Sequence, residues 1–141
     1  MKRRAGDIML LKGRMVSRGK ATGPALVSKD PISFLGGVDP KTGTVIEKDH
    51  ALYGKNVKGR VLIFPNGKGS TVGSYVIYQL KKNGVAPAAI VNLRSEPIVA
   101  VGAIISDIPM VDSLEIDPVE TIKDGQAVTV DGTAGTVEVS C

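Results

Sequence analysis

The run Arg60-Val61-Leu62-Ile63-Phe64 is apolar over its last four residues and is followed at once by Pro65-Asn66-Gly67-Lys68-Gly69. Unbroken apolar character over so short a stretch predicts a strand buried on both faces, as in a parallel sheet covered on two sides. Proline and glycine then end the ladder and open a turn. Beyond the turn, Val72, Val76 and Leu80 recur at four-residue spacing with Tyr75 and Ile77 flanking them, as the buried face of a helix requires. Ser70 takes the N-cap position of that helix, Lys81 and Lys82 its negative C-terminal end, and Asn83-Gly84 its stop. Ala88-Ala89-Ile90-Val91 is a second buried strand. The centre therefore reads as a βαβ unit with a right-handed crossover, which makes the fold class α/β.

Flanking segments are less regular. Leu10 to Arg18 and Ala25 to Ser28 read as extended pieces joined through Gly19, Gly23 and Pro24. From Asp30-Pro31 through Leu35-Gly36-Gly37, Asp39-Pro40 and Thr42-Gly43 to Leu52-Tyr53-Gly54 the chain is rich in turns, as expected of a binding loop or of irregular packing. Ile98 to Val101 and Ala103 to Ile105 are apolar segments parted by Gly102, and Pro109-Met110-Val111 leads into Leu114 to Val119. Residues 127–139 alternate like strands on both sides of Asp131-Gly132, a dipeptide that favours a type I′ hairpin turn. The 141 residues suit one domain spanning 1–141, and 43% hydrophobic with only 4% aromatic content makes its core aliphatic.

Several functions are disfavoured. The net charge of +4 draws in anions, but the basic residues are spread along the chain, and two Phe with three Tyr make no platform for stacking bases. The densest basic run, Lys2-Arg3-Arg4, reads as a solubilising tail, and nucleic acid is not an expected partner. Cys141 and His50 are the sole cysteine and histidine, so the chain cannot by itself hold zinc or an iron–sulfur cluster. Between Lys2-Arg3-Arg4 and Lys12 the apolar stretch is too short for a signal core or a membrane span, which predicts a cytoplasmic protein with no membrane partner.

Chemistry concentrates in Gly67-Lys68-Gly69-Ser70-Thr71. Ligands of α/β sheets gather beyond the carboxyl ends of parallel strands, where this turn lies. Gly67 and Gly69 allow close approach of backbone to ligand, and the first N–H groups of the following helix form an anion site to which Lys68 adds a full charge. In that field the Ser70 hydroxyl has two readings. It is a plain helix cap, or it is a proton-abstracting base whose alkoxide is stabilised by unpaired N–H groups and a nearby cation. Walker and dinucleotide patterns both fail, because Lys68 precedes Gly69 and the residue three beyond Gly69 is Val72. Nothing in the sequence ties His50 to Ser70 in a triad.

The chain resembles the small subunit of the aconitase X group, the swivelling domain that matches the mobile fourth domain of aconitase. The resemblance rests on Gly19-Lys20-Ala21-Thr22-Gly23 with Ala25-Leu26-Val27-Ser28, on Gly36-Gly37-Val38-Asp39-Pro40-Lys41-Thr42-Gly43, and on Gly59-Arg60-Val61-Leu62. It continues through Pro65-Asn66-Gly67-Lys68-Gly69-Ser70-Thr71-Val72-Gly73-Ser74-Tyr75, Val101-Gly102-Ala103-Ile104 and Ile108-Pro109-Met110-Val111-Asp112. It implies a swivelling β/β/α domain and a hydro-lyase of two subunits, the larger holding a [4Fe-4S] cluster through its own cysteines. It also implies that Ser70 is the catalytic proton acceptor, favouring the second of its two readings. For a free-standing small chain it implies dehydration of a phosphorylated substrate, (R)-5-phosphomevalonate, in a modified mevalonate pathway of archaea. The alternatives are another aconitase X substrate such as cis-3-hydroxyproline, or an anion-binding module without catalysis.

One departure is visible. In ordinary aconitases the catalytic serine precedes a second serine and a substrate-binding arginine, whereas Ser70 precedes Thr71 and Val72. The arginine's task then falls to Lys68, to another basic residue or to the large subunit. Thr71 either replaces the second hydroxyl or packs the first helical turn. Asn66, with Gly67, Lys68, Gly69 and Thr71, is a candidate for substrate binding, and it also suits a role in shaping the turn. Gly36 and Gly37 form a closing loop or a simple bend, His50 reads as structural, and Arg60 and Arg94 as surface or partner-facing charges.

Overall fold

The computed structural model describes residues 7–140; Lys2-Arg3-Arg4 and Cys141 lie outside the described residues. Four strands run parallel in the order β3 (Lys20–Val27), β4 (Val61–Phe64), β5 (Ala89–Asn92) and β6 (Met110–Asp112), and β2 (Arg14–Ser17) closes the edge antiparallel to β6. In β4, Leu62 and Phe64 face one hydrophobic cluster while Val61 and Ile63 face another. Burial on both faces is what the unbroken apolar run requires.

Helices α2 (Gly73–Lys82) and α3 (Pro97–Ile105) cover the first face, contributing Val76, Ile77, Leu80, Val99 and Ala103. The second face is covered by antiparallel strands: β1 (Ile8–Lys12), β8 (Thr136–Ser140) and β7 (Ala127–Asp131), whose inward valines 128, 130, 137 and 139 alternate with exposed or half-buried residues. β7 touches β4, β5 and β6 without hydrogen-bonding to them, as a second layer must. These layers make the β/β/α arrangement. β3 joins the two sheets, because Lys20–Pro24 pair with β7 and Ala25–Val27 with β4.

Several expectations are corrected. Gly23 and Pro24 do not interrupt an extended piece but lie inside β3, where Pro24 pairs with Ala127. Val72 and Tyr75 are about half exposed, and α2 buries Gly73, Val76, Ile77 and Leu80 instead. Ile98 to Ile105 is one helix, with Gly102 inside it. A Cβ there would lie 2.6 Å from Ile77 Cδ1, so the glycine permits close packing of α3 on α2. Asp131-Gly132 is not a two-residue turn: Asp131 pairs with Thr136, and Gly135 carries the positive φ of 74°. The turn-rich stretch holds only α1 (Phe34–Gly37), a bend whose dihedrals at Leu35 (−72°, 117°) and Gly36 (82°, −14°) are those of a type II turn. Beyond β6 in the chain, α4 (Pro118–Thr121) is a single turn. Among the described residues no helix is long and apolar enough to cross a membrane.

Candidate active site

The loop after β4 is tied down from three directions. Pro65 O accepts from Leu93 N–H at 3.0 Å, beyond β5. Ile32 forms a parallel bridge with Gly67, its N–H donating to Asn66 O at 3.2 Å and its carbonyl accepting from Lys68 N–H at 3.0 Å. The Asn66 side-chain amide donates to Gly67 O at 2.8 Å, which is the turn-shaping role. Gly67 has no room for a side chain: a Cβ would lie 2.4 Å from both Glu96 Oε1 and Val99 Cγ2. Gly69 has φ +87°, the left-handed region glycine favours.

Ser70 does not cap α2 directly. Its carbonyl accepts from Gly73 N–H at 2.9 Å and its Oγ from Val72 N–H at 3.1 Å, making a tight i→i+3 turn before the helix begins at Gly73. Oγ thus accepts one N–H of the turn before the helix and remains exposed. Lys68, Gly69 and Thr71 are exposed with it, so the sequence candidates gather on one solvent-facing loop.

The loop has binding capacity to offer. Among the described residues, the N–H groups of Gly69, Ser70 and Thr71 and the ammonium of Lys68 make no hydrogen bond or ion pair. Consecutive unpaired N–H groups beside a cation form an anion-binding concavity. The Glu96 carboxylate beside Gly67 is engaged with its own helix. Glu96 caps α3, Oε2 accepting from Ile98 N–H at 2.9 Å and Oε1 from Val99 N–H at 2.8 Å. A serine oxygen that already accepts one N–H bond, among other free donors and a cation, sits where an alkoxide costs least.

Other candidates fall elsewhere. His50 is buried, its Nδ1 accepting from Leu52 N–H at 3.0 Å, so its Nε2 carries the proton and donates to Pro31 O at 2.9 Å. Both nitrogens are engaged, and the histidine is structural. Arg60 is not a free surface charge: its guanidinium donates to Pro24 O at 3.1 Å and Ala25 O at 2.6 Å, pinning β3 where it changes sheets. Arg94 is exposed on the loop after β5, and Gly36 with Gly37 shape the α1 bend.

Sequence reasoning missed three residues along this sheet edge. Asp112, at the end of β6, is wholly buried and takes a two-pronged ion pair from Arg14, Nε to Oδ1 at 2.9 Å and Nη2 to Oδ2 at 2.7 Å. Burial pushes its carboxyl up. The Arg14 hydrogen bonds, the Ser95 N–H at 2.7 Å and the Arg14 charge outweigh that and hold it at about 2. Asn92, at the end of β5, donates to Phe64 O at 3.1 Å and leaves Oδ1 buried without a partner. The signal available was a polar residue closing an apolar strand. Among the described residues, no group of three or more His, Cys, Asp or Glu could hold a metal ion.

A family model described as the aconitase X swivel domain matches residues 10–139. The phosphomevalonate dehydratase small subunit of Methanocella arvoryzae is 79% identical over 132 residues, covering 94% of this chain and 100% of that protein. The protein of the same description in Thermococcus kodakarensis is 54% identical over 131 residues, covering 93% and 96%. The crystal structure of Thermococcus kodakaraensis aconitase X in its holo-form matches with a TM-score of 0.88 at 54% identity, over 93% of this chain and 98% of that one.

Proposed function

The chain belongs to the aconitase X swivel-domain family, and from that membership we propose that it is the small subunit of a phosphomevalonate dehydratase. The reaction removes water from (R)-5-phosphomevalonate to give the trans-anhydro product. In this reading Ser70 Oγ accepts the proton from the carbon next to the one that loses its hydroxyl. Ser70 enters the step as the alkoxide, its charge met by the Val72 N–H already bonded to Oγ at 3.1 Å, and leaves it as a neutral hydroxyl while the negative charge passes to the substrate carbon and its carboxylate. Lys68 and the free N–H groups of Gly69, Ser70 and Thr71 hold the adjacent carboxylate, with Thr71 as an additional hydroxyl donor. Asn66 and Gly67 keep the loop in place for this.

A second, cysteine-bearing large subunit completes the site, and the [4Fe-4S] cluster the family implies belongs to it, supplying Lewis acidity toward the departing hydroxyl. Apolar side chains left half exposed near the loop, Val101 on α3 and Val72 and Tyr75 at the start of α2, support a covering partner. The 1–141 chain then moves as one swivelling body in a cytoplasmic enzyme.

The observation that carries this reading is an exposed Ser70 hydroxyl whose oxygen accepts one backbone N–H amid unengaged donors. Its test is Ser70→Ala in the enzyme reconstituted with its large subunit. Subunit association should persist while turnover falls by about a thousandfold or more. Near-normal turnover would remove Ser70 as the base. Turnover of cis-3-hydroxyproline in place of the phosphorylated substrate would move the activity to another member of the group.

A further inference from the structure

The carboxyl edge of the parallel sheet carries a second cation besides Lys68, and this one is held in place. Arg14 lies on β2 opposite Asp112, and its side chain is 63% exposed although it grips a carboxylate that is 0% exposed. Its Nη2 also reaches toward Ser95 Oγ at 3.5 Å, and the Ser95 N–H fixes the same carboxylate at 2.7 Å. The guanidinium thus leans back over the loop following β5. That loop continues into Glu96, whose carboxylate abuts Gly67, and Leu93 N–H binds Pro65 O at 3.0 Å. Arg14 and the Ser70 loop are therefore parts of one stitched edge, separated by the strands β5 and β6 at about 4.8 Å per strand.

An ion pair with one member wholly buried is not accounted for by stability alone, because burying a carboxylate costs more than an apolar side chain in its place. What the pairing with Asp112 does supply is direction. Nε and Nη2 are committed to Asp112, and no hydrogen bond among the described residues engages Nη1. A guanidinium so held points its free Nη1 at solvent in a fixed direction, where its two N–H groups and the full positive charge can meet an anion. Of the carboxylates along this edge, Glu96 caps α3, Asp112 is engaged beneath, and Glu115, beyond β6, accepts from Lys12 N–H at 3.1 Å. Arg94, exposed on the intervening loop, adds to the positive field.

We propose that Arg14, aimed by Asp112, binds the phosphate of the substrate, while the Ser70 loop takes the carboxylate end. This rests on the function proposed above. In that substrate the carboxylate adjoins the carbon that loses its proton, so it must lie beside Ser70. The phosphate lies several bonds farther along and needs a separate cation along the edge. Asp112 is then a positioning residue.

The test uses the reconstituted enzyme with Arg14→Ala, Arg14→Lys and the double variant Arg14→Gln/Asp112→Asn. The double variant removes both charges without leaving a buried carboxylate alone, so it stays folded where Arg14→Ala may not. KM for the phosphorylated substrate should rise roughly 10–100-fold in the double variant with kcat changed little, the mark of an interaction made equally in ground and transition states. Arg14→Lys should recover part of that loss. Competitive inhibition by inorganic phosphate should weaken in parallel, and calorimetry of inorganic phosphate with the complex should show the same order. An unchanged KM and unchanged phosphate binding in the folded double variant would overturn the proposal, as would a fall in kcat alone. If the wild-type enzyme fails to dehydrate phosphomevalonate, the function falls, while the phosphate titration still decides for or against Arg14.

Discussion

Two loops of this protein look alike in composition and behave oppositely. Residues 38–57 and residues 65–72 are both rich in turn formers and both carry lysines, yet the first uses its polar groups on itself. Asp39 Oδ1 accepts from Lys41 N–H at 2.9 Å, the Asn56 amide donates to Thr42 O at 2.7 Å while its oxygen accepts from Lys58 N–H at 2.8 Å, and His50 is engaged at both nitrogens. In the second, Asn66 is used in this way and Ser70 Oγ accepts one bond from Val72 N–H, while the Lys68 ammonium and the N–H groups of residues 69–71 have no partners among the described residues and the Ser70 hydroxyl stays exposed. In the function proposed, the loop that satisfies itself is scaffold and the loop held from below with its donors free is the site. Polar satisfaction, not glycine content, separates them.

The largest expected effect tests that separation directly. Ser70→Ala should remove about a thousandfold or more of turnover while changing unfolding stability by well under 1 kcal/mol, because only one exposed N–H bond is lost. A variant that unfolds in step with its loss of turnover would make Ser70 scaffold, and the contrast would fail. Next comes Gly67→Ala. The added Cβ meets the Glu96 carboxylate and Val99 Cγ2, and Glu96 cannot yield without releasing its bonds to Ile98 and Val99 N–H. Displacing the loop by about 1 Å should reduce turnover roughly a hundredfold, with about 1–3 kcal/mol of stability lost in chemical denaturation. Unimpaired kinetics would show that the loop tolerates displacement.

His50→Ala probes the other side. It leaves Leu52 N–H and Pro31 O without partners in a buried place, at a cost of about 2 kcal/mol by urea denaturation. At a temperature where the variant stays folded, kcat should be unchanged. A collapse of kcat in folded protein would transfer His50 from scaffold to chemistry.

The sequence made legible whatever was contiguous. Val61 to Phe64 and Ala89 to Val91 are buried on both faces and read as strands at sight, and Gly67 to Thr71 lie together because one turn contains them. Helix α3 escaped because Pro97 to Ile105 is apolar on every side, so no 3.6-residue period emerges, although Glu96-Pro97 is a helix start in plain form. Val72 and Tyr75 were misassigned to the buried face because the tight turn at Ser70 delays the helix to Gly73. Arg14 and Asp112 stand 98 residues apart, and only the pairing of β2 with β6 brings them together. No local pattern encodes that.

Asp112 sharpens the comparison from its least obvious side, since it lies on the functional edge yet has its oxygens engaged by Arg14 and Ser95. By the same rule it should behave as scaffold, and acid should reveal this. Its carboxyl is held at about 2, below the ordinary value near 3.9 that it regains on unfolding. A group lowered in the folded state gives its stabilisation above the unfolded value and loses it as pH falls toward the folded one. The difference in unfolding free energy between wild type and Asp112→Asn, measured in urea, should therefore stay constant from about pH 7 to 5 and close progressively from about pH 4 toward 2. Other carboxylates titrate in both proteins and cancel in the difference. A gap that persists undiminished to about pH 2.5 would mean that the Asp112 charge contributes nothing through Arg14. The guanidinium would then have to be held over the loop by something other than the carboxylate beneath it.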